Sequence, residues 1–412
     1  MKYGCIGEHL KHSFSKEIHN ALADYEYEIK EIPKDKLEEF MTNRDFKAIN
    51  VTIPYKEDVI PYLYFIDDAA KKIGAVNTIV NKEGRLYGYN TDFYGMSMLI
   101  AHAGIDLKNK KVAVLGTGGT SKTACAVSES LLAKEIIVVS RTKTENTVTY
   151  EELYEKHSDI DIIINTTPLG MFPNNYLKAV ELQKFPKLSG VVDAVYNPLQ
   201  TVLIKDAKSL GILAEGGLYM LVAQGVLASE IFLDKKYEKC TLDEVFLKLK
   251  KQKENIVLIG MPSSGKSTVG KEIAKKLGRD FYDTDKYIEE QTGKKIPEII
   301  TTLGEEEFRI LESDAVAEIS KLTGVVIATG GGVILKDKNT KALSQNGRIY
   351  FIDRPLELLL PTGDRPLTST KEALLIKYNE RYPIYEKSAD VKIEASISVK
   401  EVANLIIGDF EK

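Results

Sequence analysis

The sequence predicts an α/β protein built of several layered units, and three observations predict it. Apolar runs short enough to be strands alternate with longer helical patterns along almost the whole chain, as they do where helices cover a sheet. Two of these runs pass directly into a glycine-rich turn and then a helix start, at 116–121 and at 260–267, the order in which such folds grip phosphate groups. At 412 residues the chain is also long enough for two or three domains of ~100–200 residues, each with its own core.

Composition narrows the class further. The chain is 43% hydrophobic and 28% charged, with 56 Lys+Arg against 60 Asp+Glu, which argues against disorder and offers no basic surface for nucleic acid. The start MKYGCIGEHLKHS has no secretory apolar core, and no run approaches the ~20 apolar residues of a membrane span. A cytoplasmic protein with neither membrane nor nucleic-acid partner is expected. Cys5, Cys125 and Cys240 stand singly without CxxC spacing, and the 5 histidines show no metal-binding pattern. Buried thiols are expected, and any metal should arrive with a nucleotide.

The first block, residues 1–95, contains expected strands Tyr3–Ile6 and Ala48–Ile53, and a hairpin of Val76–Asn81 and Arg85–Tyr89 turning at Lys82-Glu83-Gly84. Polar residues follow these strands: Ser13 and Ser15, then Asn50, Thr52 and Lys56, then Asn77, then Asp92 after Tyr89-Asn90-Thr91. Singly, the serines read as helix caps and the others as turns. Strand ends are nevertheless where α/β folds place their clefts.

The second block has expected strands Val112–Leu115, Ile136–Val139, Ile160–Ile164 and Val191–Asp193. The first enters the turn Gly116-Thr117-Gly118-Gly119-Thr120-Ser121 and a helix over 122–132, which is dinucleotide-binding order. The second ends in Ser140-Arg141-Thr142, where an NAD site usually has a carboxylate for the ribose 2′-hydroxyl. A guanidinium suits a 2′-phosphate instead, so NADP is preferred to NAD. An apolar helix-like stretch, 218–232, precedes a charged segment with sparse apolar pattern, which makes 236–254 the expected linker.

The third block opens with the strand Ile256–Ile259, the loop Gly260-Met-Pro-Ser-Ser-Gly265-Lys266-Ser267 and an amphipathic run with Val269, Ile273 and Leu277 on one face. Glycines at both ends let backbone N–H groups turn toward phosphate oxygens, with Ser263, Ser264, Gly265 and Thr268 completing the cradle. Lys266 should neutralise the β/γ-phosphates and Ser267 should ligate Mg²⁺, so ATP is the expected ligand. Asp283-Thr284-Asp285 follows the next strand, and Arg309, Ala328-Thr329-Gly330-Gly331-Gly332, Asp364-Arg365-Pro366-Leu367 and Arg381-Tyr382-Pro383 come after it.

In this order behind the phosphate loop, residues 255–412 resemble shikimate kinase. The resemblance implies that Arg309 and Arg381 hold a carboxylate, that Asp285 binds and activates ring hydroxyls, and that Asp283 lies near the magnesium. It implies close backbone approach at Gly331, and a lid arginine, Arg365, over the phosphates. The segment Leu359-Leu360-Pro361-Thr362-Gly363 departs from the family, which commonly has an arginine there against the adenine. The strand-end residues of the first block, with Asn165-Thr166-Thr167, Asp193–Pro198 and Gly217–Gln224, resemble shikimate dehydrogenase across residues 1–235. That resemblance makes Lys56 and Asp92 the catalytic pair. Ser13, Ser15, Asn50, Thr52, Asn77, Asp92 and Gln224 become substrate-binding residues, with Tyr196 and Gly217 at the cleft. Gly116, Thr117, Gly118, Gly119, Thr120, Ser140, Arg141 and Thr142 match the NADP(H) site. Where the family often has a second basic residue this chain has Glu145, with Lys143 as a substitute.

The implied fold is a two-lobed dehydrogenase followed by a kinase. An α/β substrate lobe (1–95, with a helix near 218–235 packing back) and a Rossmann NADP lobe (96–235) precede a linker (236–254) and a P-loop domain with a parallel sheet (255–412). The implied function is reduction of 3-dehydroshikimate with NADPH, then phosphorylation of shikimate with Mg²⁺-ATP. Two independent motif sets point to one metabolite. A preference for quinate in the first half is the enzymatic alternative. A silent metabolite sensor is the other, and it would need neither the Lys56–Asp92 pair nor Lys266.

Overall fold

The computed structural model describes residues 1–8, 10, 14–359 and 370–412. They form two compact units, one of Met1–Asn197 with Thr201–Leu249, the other of Pro198–Gln200 with Lys250–Lys412. Among the described residues no helix is long and apolar enough to cross a membrane.

The first unit contains two sheets. Strands β1 (Tyr3–Gly7), β2 (Tyr27–Glu31), β3 (Ala48–Val51), β4 (Phe65–Ile66), β5 (Thr78–Lys82) and β6 (Arg85–Tyr89) form a mixed sheet in the order β2-β1-β3-β5-β6-β4. Strand β5 runs antiparallel to both neighbours. It joins β6 through Glu83 and Gly84, whose φ values of 53° and 80° make the tight turn that matches strand twist. The expected strand Ala48–Ile53 stops at Val51, because Ile53 is 74% exposed and Pro54 cannot donate to a ladder.

The second sheet is wholly parallel. Strands β7 (Lys111–Leu115), β8 (Glu135–Val139), β9 (Ile162–Asn165), β10 (Gly190–Asp193) and β11 (Leu213–Glu215) lie in the order β11-β10-β9-β7-β8. Val112 through Leu115 are fully buried, as a central parallel strand covered on both faces must be. The strand order reverses between β7 and β9, so their C-terminal ends bound a crevice suited to a ligand.

Two further helices bear on the first unit's cleft. Helix Asp92–His102 meets helix Leu218–Leu233 at Gly95, where a Cβ would stand 2.7 Å from the Met220 carbonyl. The stretch expected as a linker holds a helix, Thr241–Lys253, which buries Leu242, Val245, Phe246 and Leu249. Its Phe246 ring stands edge-on to Tyr219, whose hydroxyl donates to Asp243 Oδ1 at 2.7 Å. The first unit therefore extends to Leu249, because apolar residues at helical spacing outweigh the surrounding charge.

The second unit is one parallel sheet. Strands β12 (Asn255–Ile259), β13 (Phe281–Asp283), β14 (Val326–Ala328), β15 (Gly347–Asp353) and β16 (Val391–Glu394) lie in the order β13-β14-β12-β15-β16. Alternate residues feed opposite layers: Val257, Ile259 and Phe351 pack on one face, Ile256, Leu258, Tyr350 and Ile352 on the other. The order reverses at β12, which brings Gly260, Asp283 and Thr329 to one rim of the sheet.

Candidate active sites

In the first unit, Lys56 Nζ meets Asp92 Oδ2 at 2.6 Å, with the two side chains 22% and 14% exposed. Asp92 opens the helix Asp92–His102 and is aimed by Asn90. Asn90 Oδ1 accepts from the N–H groups of Asp92 and Phe93, while its amide donates to the Ala75 carbonyl at 2.8 Å. Beside this pair lies a chain of carboxamides and hydroxyls. Asn77 Oδ1 accepts from Thr91 N at 2.8 Å, Thr91 Oγ1 at 3.2 Å and Thr78 Oγ1 at 3.1 Å. Thr91 also reaches Gln224 Oε1 at 3.4 Å.

Asn50 joins the same network, donating to Thr78 Oγ1 at 3.1 Å and accepting from the buried Tyr27 hydroxyl at 2.7 Å. The expected residues Lys56, Asp92, Asn77, Gln224 and Asn50 are thus brought together. Tyr27, which orients Asn50, carried no signal in sequence. Thr52 is half-buried past the end of β3, and Ser15 begins the helix Ser15–Leu22. The Tyr196 ring stands edge-on to Phe14, and burial pushes its hydroxyl pKa up. Ser13 lies outside the described residues.

The glycine turn after β7 has the shape a dinucleotide needs. Gly116 has φ 110°, and a Cβ there would stand 2.9 Å from Thr166 Oγ1, so only glycine fits without strain. Cβ positions on Gly118 and Gly119 meet open space, and helix Gly119–Ser130 starts without a side-chain cap. Its free N–H groups suit a pyrophosphate. Gly217, which precedes helix Leu218–Leu233, packs against the Ala194 carbonyl too closely for a side chain. Lys122 on the glycine-turn helix pairs at 2.7 Å with Glu57, next to Lys56.

Behind the turn, Asp193 is fully buried and accepts from Asn165, Thr201 and the Val195 N–H. Burial raises its pKa to about 6 despite these donors. Arg141 is exposed just past the end of β8, with Ser140 and Thr142 on either side. Lys143 is already engaged, pairing at 2.5 Å with Glu152, which Lys143 and Lys156 hold down to about 2. The expected substitute cation is therefore paired with Glu152 of its own lobe.

In the second unit the phosphate loop borders a cleft of about 810 Å³. Gly265, at φ 92°, precedes helix Lys266–Leu277, which again has no side-chain cap. Lys266 Nζ donates to the carbonyls of Gly260 at 2.9 Å and Met261 at 2.8 Å, inside the loop. Ser263, at φ 67°, and Ser264 complete the turn, and Thr268 lies in the first turn of the helix. Ser267 Oγ donates to Asp283 Oδ2 at 2.6 Å, while Asp283 Oδ1 caps the helix Thr284–Thr292. A hydroxyl and a carboxylate at that spacing are a donor set for a hard divalent cation.

Across the cleft, the triple glycine is held by its neighbours. Thr284 Oγ1 accepts from Gly330 N at 2.9 Å, and the Gly331 carbonyl accepts from Arg381 Nη1 at 2.9 Å and Tyr385 OH at 2.6 Å. Arg309 pairs with Glu305 at 2.8 Å and Glu312 at 3.1 Å. A Cβ on Gly330 would stand 2.5 Å from Asp285 Oδ1 and 2.9 Å from Glu312 Oε1, so two carboxylates flank that glycine. Glu312 is 1% exposed and its pKa is raised to about 7, mostly by burial, with Arg309 opposing and Asp285 adding. Sequence reasoning missed Glu312, although its place three residues after Arg309 puts both on one helix face. Arg365 and Pro361 lie outside the described residues.

A family model described as shikimate dehydrogenase substrate binding domain matches residues 5–79, and one described as shikimate kinase matches 262–411. A shikimate dehydrogenase (NADP(+)) of Clostridium perfringens (strain SM101 / Type A) is 40% identical over 266 residues, covering 60% of this chain and 98% of its own. The crystal structure of shikimate dehydrogenase 1 from Peptoclostridium difficile aligns with TM-score 0.56 and 35% identity, over 60% of this chain and 98% of that one. A shikimate 5-dehydrogenase from Thermus thermophilus, solved with NADP(H) and shikimate, aligns with TM-score 0.54 and 29% identity, over 60% and 99%. The chain belongs to the shikimate dehydrogenase family and carries a shikimate kinase domain behind it.

Proposed function

We propose that this chain catalyses two consecutive steps, reduction of 3-dehydroshikimate to shikimate with NADPH and phosphorylation of shikimate to shikimate 3-phosphate with ATP. The observation that carries it is the Lys56–Asp92 pair at 2.6 Å, in a chain whose second unit opens a phosphate loop onto Asp285, Arg309 and Arg381.

In the first step, NADPH supplies the hydride from a site formed by Gly116–Thr120, Ser140–Thr142 and Gly217, with Arg141 toward the 2′-phosphate. Lys56 donates the proton to the oxygen that becomes the alcohol, and Asp92 holds the ammonium in place. Ser13 and Ser15 bind the substrate carboxylate. Asn50, Thr52, Asn77 and Gln224 bind ring hydroxyls, with Tyr196 at the cleft near substrate and nicotinamide.

In the second step, Gly260–Thr268 would hold Mg²⁺-ATP, with Ser267 and Asp283 toward the cation, and the nucleotide would supply the phosphoryl group. Arg309 and Arg381 hold the shikimate carboxylate as guanidinium forks, beside the Gly331 backbone. Asp285 orients the attacking hydroxyl and takes its proton, while Lys266 and Arg365 neutralise charge spread over the phosphates. The proposed setting is the cytoplasm, with small molecules as the partners.

The test is reciprocal. Lys56→Ala should abolish NADPH oxidation and spare phosphorylation, and Lys266→Ala should do the reverse. Survival of both activities in both variants would show the site assignments to be wrong.

A further inference from the structure

Arg354 follows strand β15, on the side of β12 away from β14. Its Nε donates to the Leu358 carbonyl at 3.2 Å, which fixes the plane of the guanidinium. Its Nη1 lies 4.0 Å from the point where a Cβ on Gly265 would stand. A half-buried arginine thus leans over the phosphate loop from the sheet rather than from the segment Leu359–Gly363, which has no arginine.

Electrostatics make this placement informative. A helix N-terminus carries about half a positive charge, and Lys266 stands at the first helical position. A further cation there raises the free energy unless an anion joins it. The adjacent carboxylate does not supply that anion, because Asp353 accepts from Tyr382 OH at 2.8 Å and faces Lys392 at 3.9 Å. Among the described residues Arg354 forms no ion pair. A polyanion on the loop would turn this repulsion into attraction.

We propose that Arg354 is a nucleotide-binding residue, its guanidinium meeting the diphosphate that ATP and ADP share. The proposal rests on the reading of Gly260–Ser267 as the ATP site, and adds a contact from β15 to it. The full-length chain is tested as Arg354→Ala, Arg354→Gln and Arg354→Lys, with Lys266→Ala as reference. ADP affinity is measured by calorimetry, and KM is measured for ATP and for shikimate.

Loss of one charge-assisted contact should weaken ADP binding and raise KM for ATP about tenfold in the alanine and glutamine variants. Lysine should restore most of the affinity. KM for shikimate and the rate of NADPH oxidation should stay at their parental values. Parental ADP affinity in Arg354→Ala or Arg354→Gln, with affinity lost in Lys266→Ala, overturns the proposal and leaves the ATP site standing. An equal rise in KM for shikimate also overturns it, because that marks a general disturbance of the unit. Parental ADP affinity in Lys266→Ala would instead remove the ATP-site reading, and this proposal with it.

Discussion

Replacing Glu312 with glutamine should remove a large part of the pH dependence of the second unit's stability. Burial raises this carboxyl's pKa from 4.5 to about 7, with Arg309 opposing and Asp285 reinforcing the rise. A raised carboxyl pKa means that the folded state binds the proton more tightly than the unfolded chain. Stability is therefore greatest below the unfolded value, falls as pH rises toward the folded value, and levels above it. From 4.5 to about 7, at ~1.4 kcal/mol per pH unit, the loss is on the order of 3 kcal/mol. Glutamine keeps the shape and can still accept from Arg309, but has no charge to desolvate. Pulse proteolysis in urea, following peptides from 255–359, reads this unit however the first one unfolds. The parent midpoint should fall between pH 4.5 and 7 while that of Glu312→Gln stays nearly level. Equal slopes in the two proteins would refute the reasoning.

Other substitutions probe the first unit. Gly116→Ala forces a side chain to φ 110° and places its Cβ 2.9 Å from Thr166 Oγ1. Strain of ~1–3 kcal/mol at that turn should raise KM for NADPH at least several-fold and leave kinase activity untouched, as steady-state assays of both reactions would show. Tyr27→Phe removes the hydroxyl that donates to Asn50 Oδ1 at 2.7 Å. A buried acceptor left unsatisfied costs ~1–3 kcal/mol, and freeing the Asn50 amide should raise KM for 3-dehydroshikimate more than it lowers kcat.

Much of the fold was legible because its signals are contiguous. The strand, glycine turn and helix at 112–130 and at 256–277 each sit within one short stretch, where periodicity and phosphate chemistry are read together. The charged helix Thr241–Lys253 was not recognised, although Leu242, Val245, Phe246 and Leu249 have helical spacing, because lysines and glutamates crowd the segment. Strands β2 and β16 escaped notice for a similar reason, since each edge strand interleaves apolar residues with charge.

The candidate sites divide in the same way. Lys56, Asp92, Lys266 and Asp285 stood in recognisable motifs. Glu312 stood in a carboxylate-rich helix that reads as a solvated face, and only tertiary burial distinguishes it from Glu306 or Glu307. Tyr27 and Arg354 act through partners remote in sequence, a relation that pairing of strands creates and local pattern cannot carry.

Performance of both reactions in succession by one chain is open to a joint assay. It is tested most directly by supplying 3-dehydroshikimate, NADPH and Mg²⁺-ATP together to the full-length protein and following free shikimate and shikimate 3-phosphate over time. NADPH oxidation should be followed by accumulation of shikimate 3-phosphate, and omitting ATP should leave shikimate as the end product. NADPH oxidation without any phosphorylated product in the presence of ATP, or no oxidation at all, would contradict it.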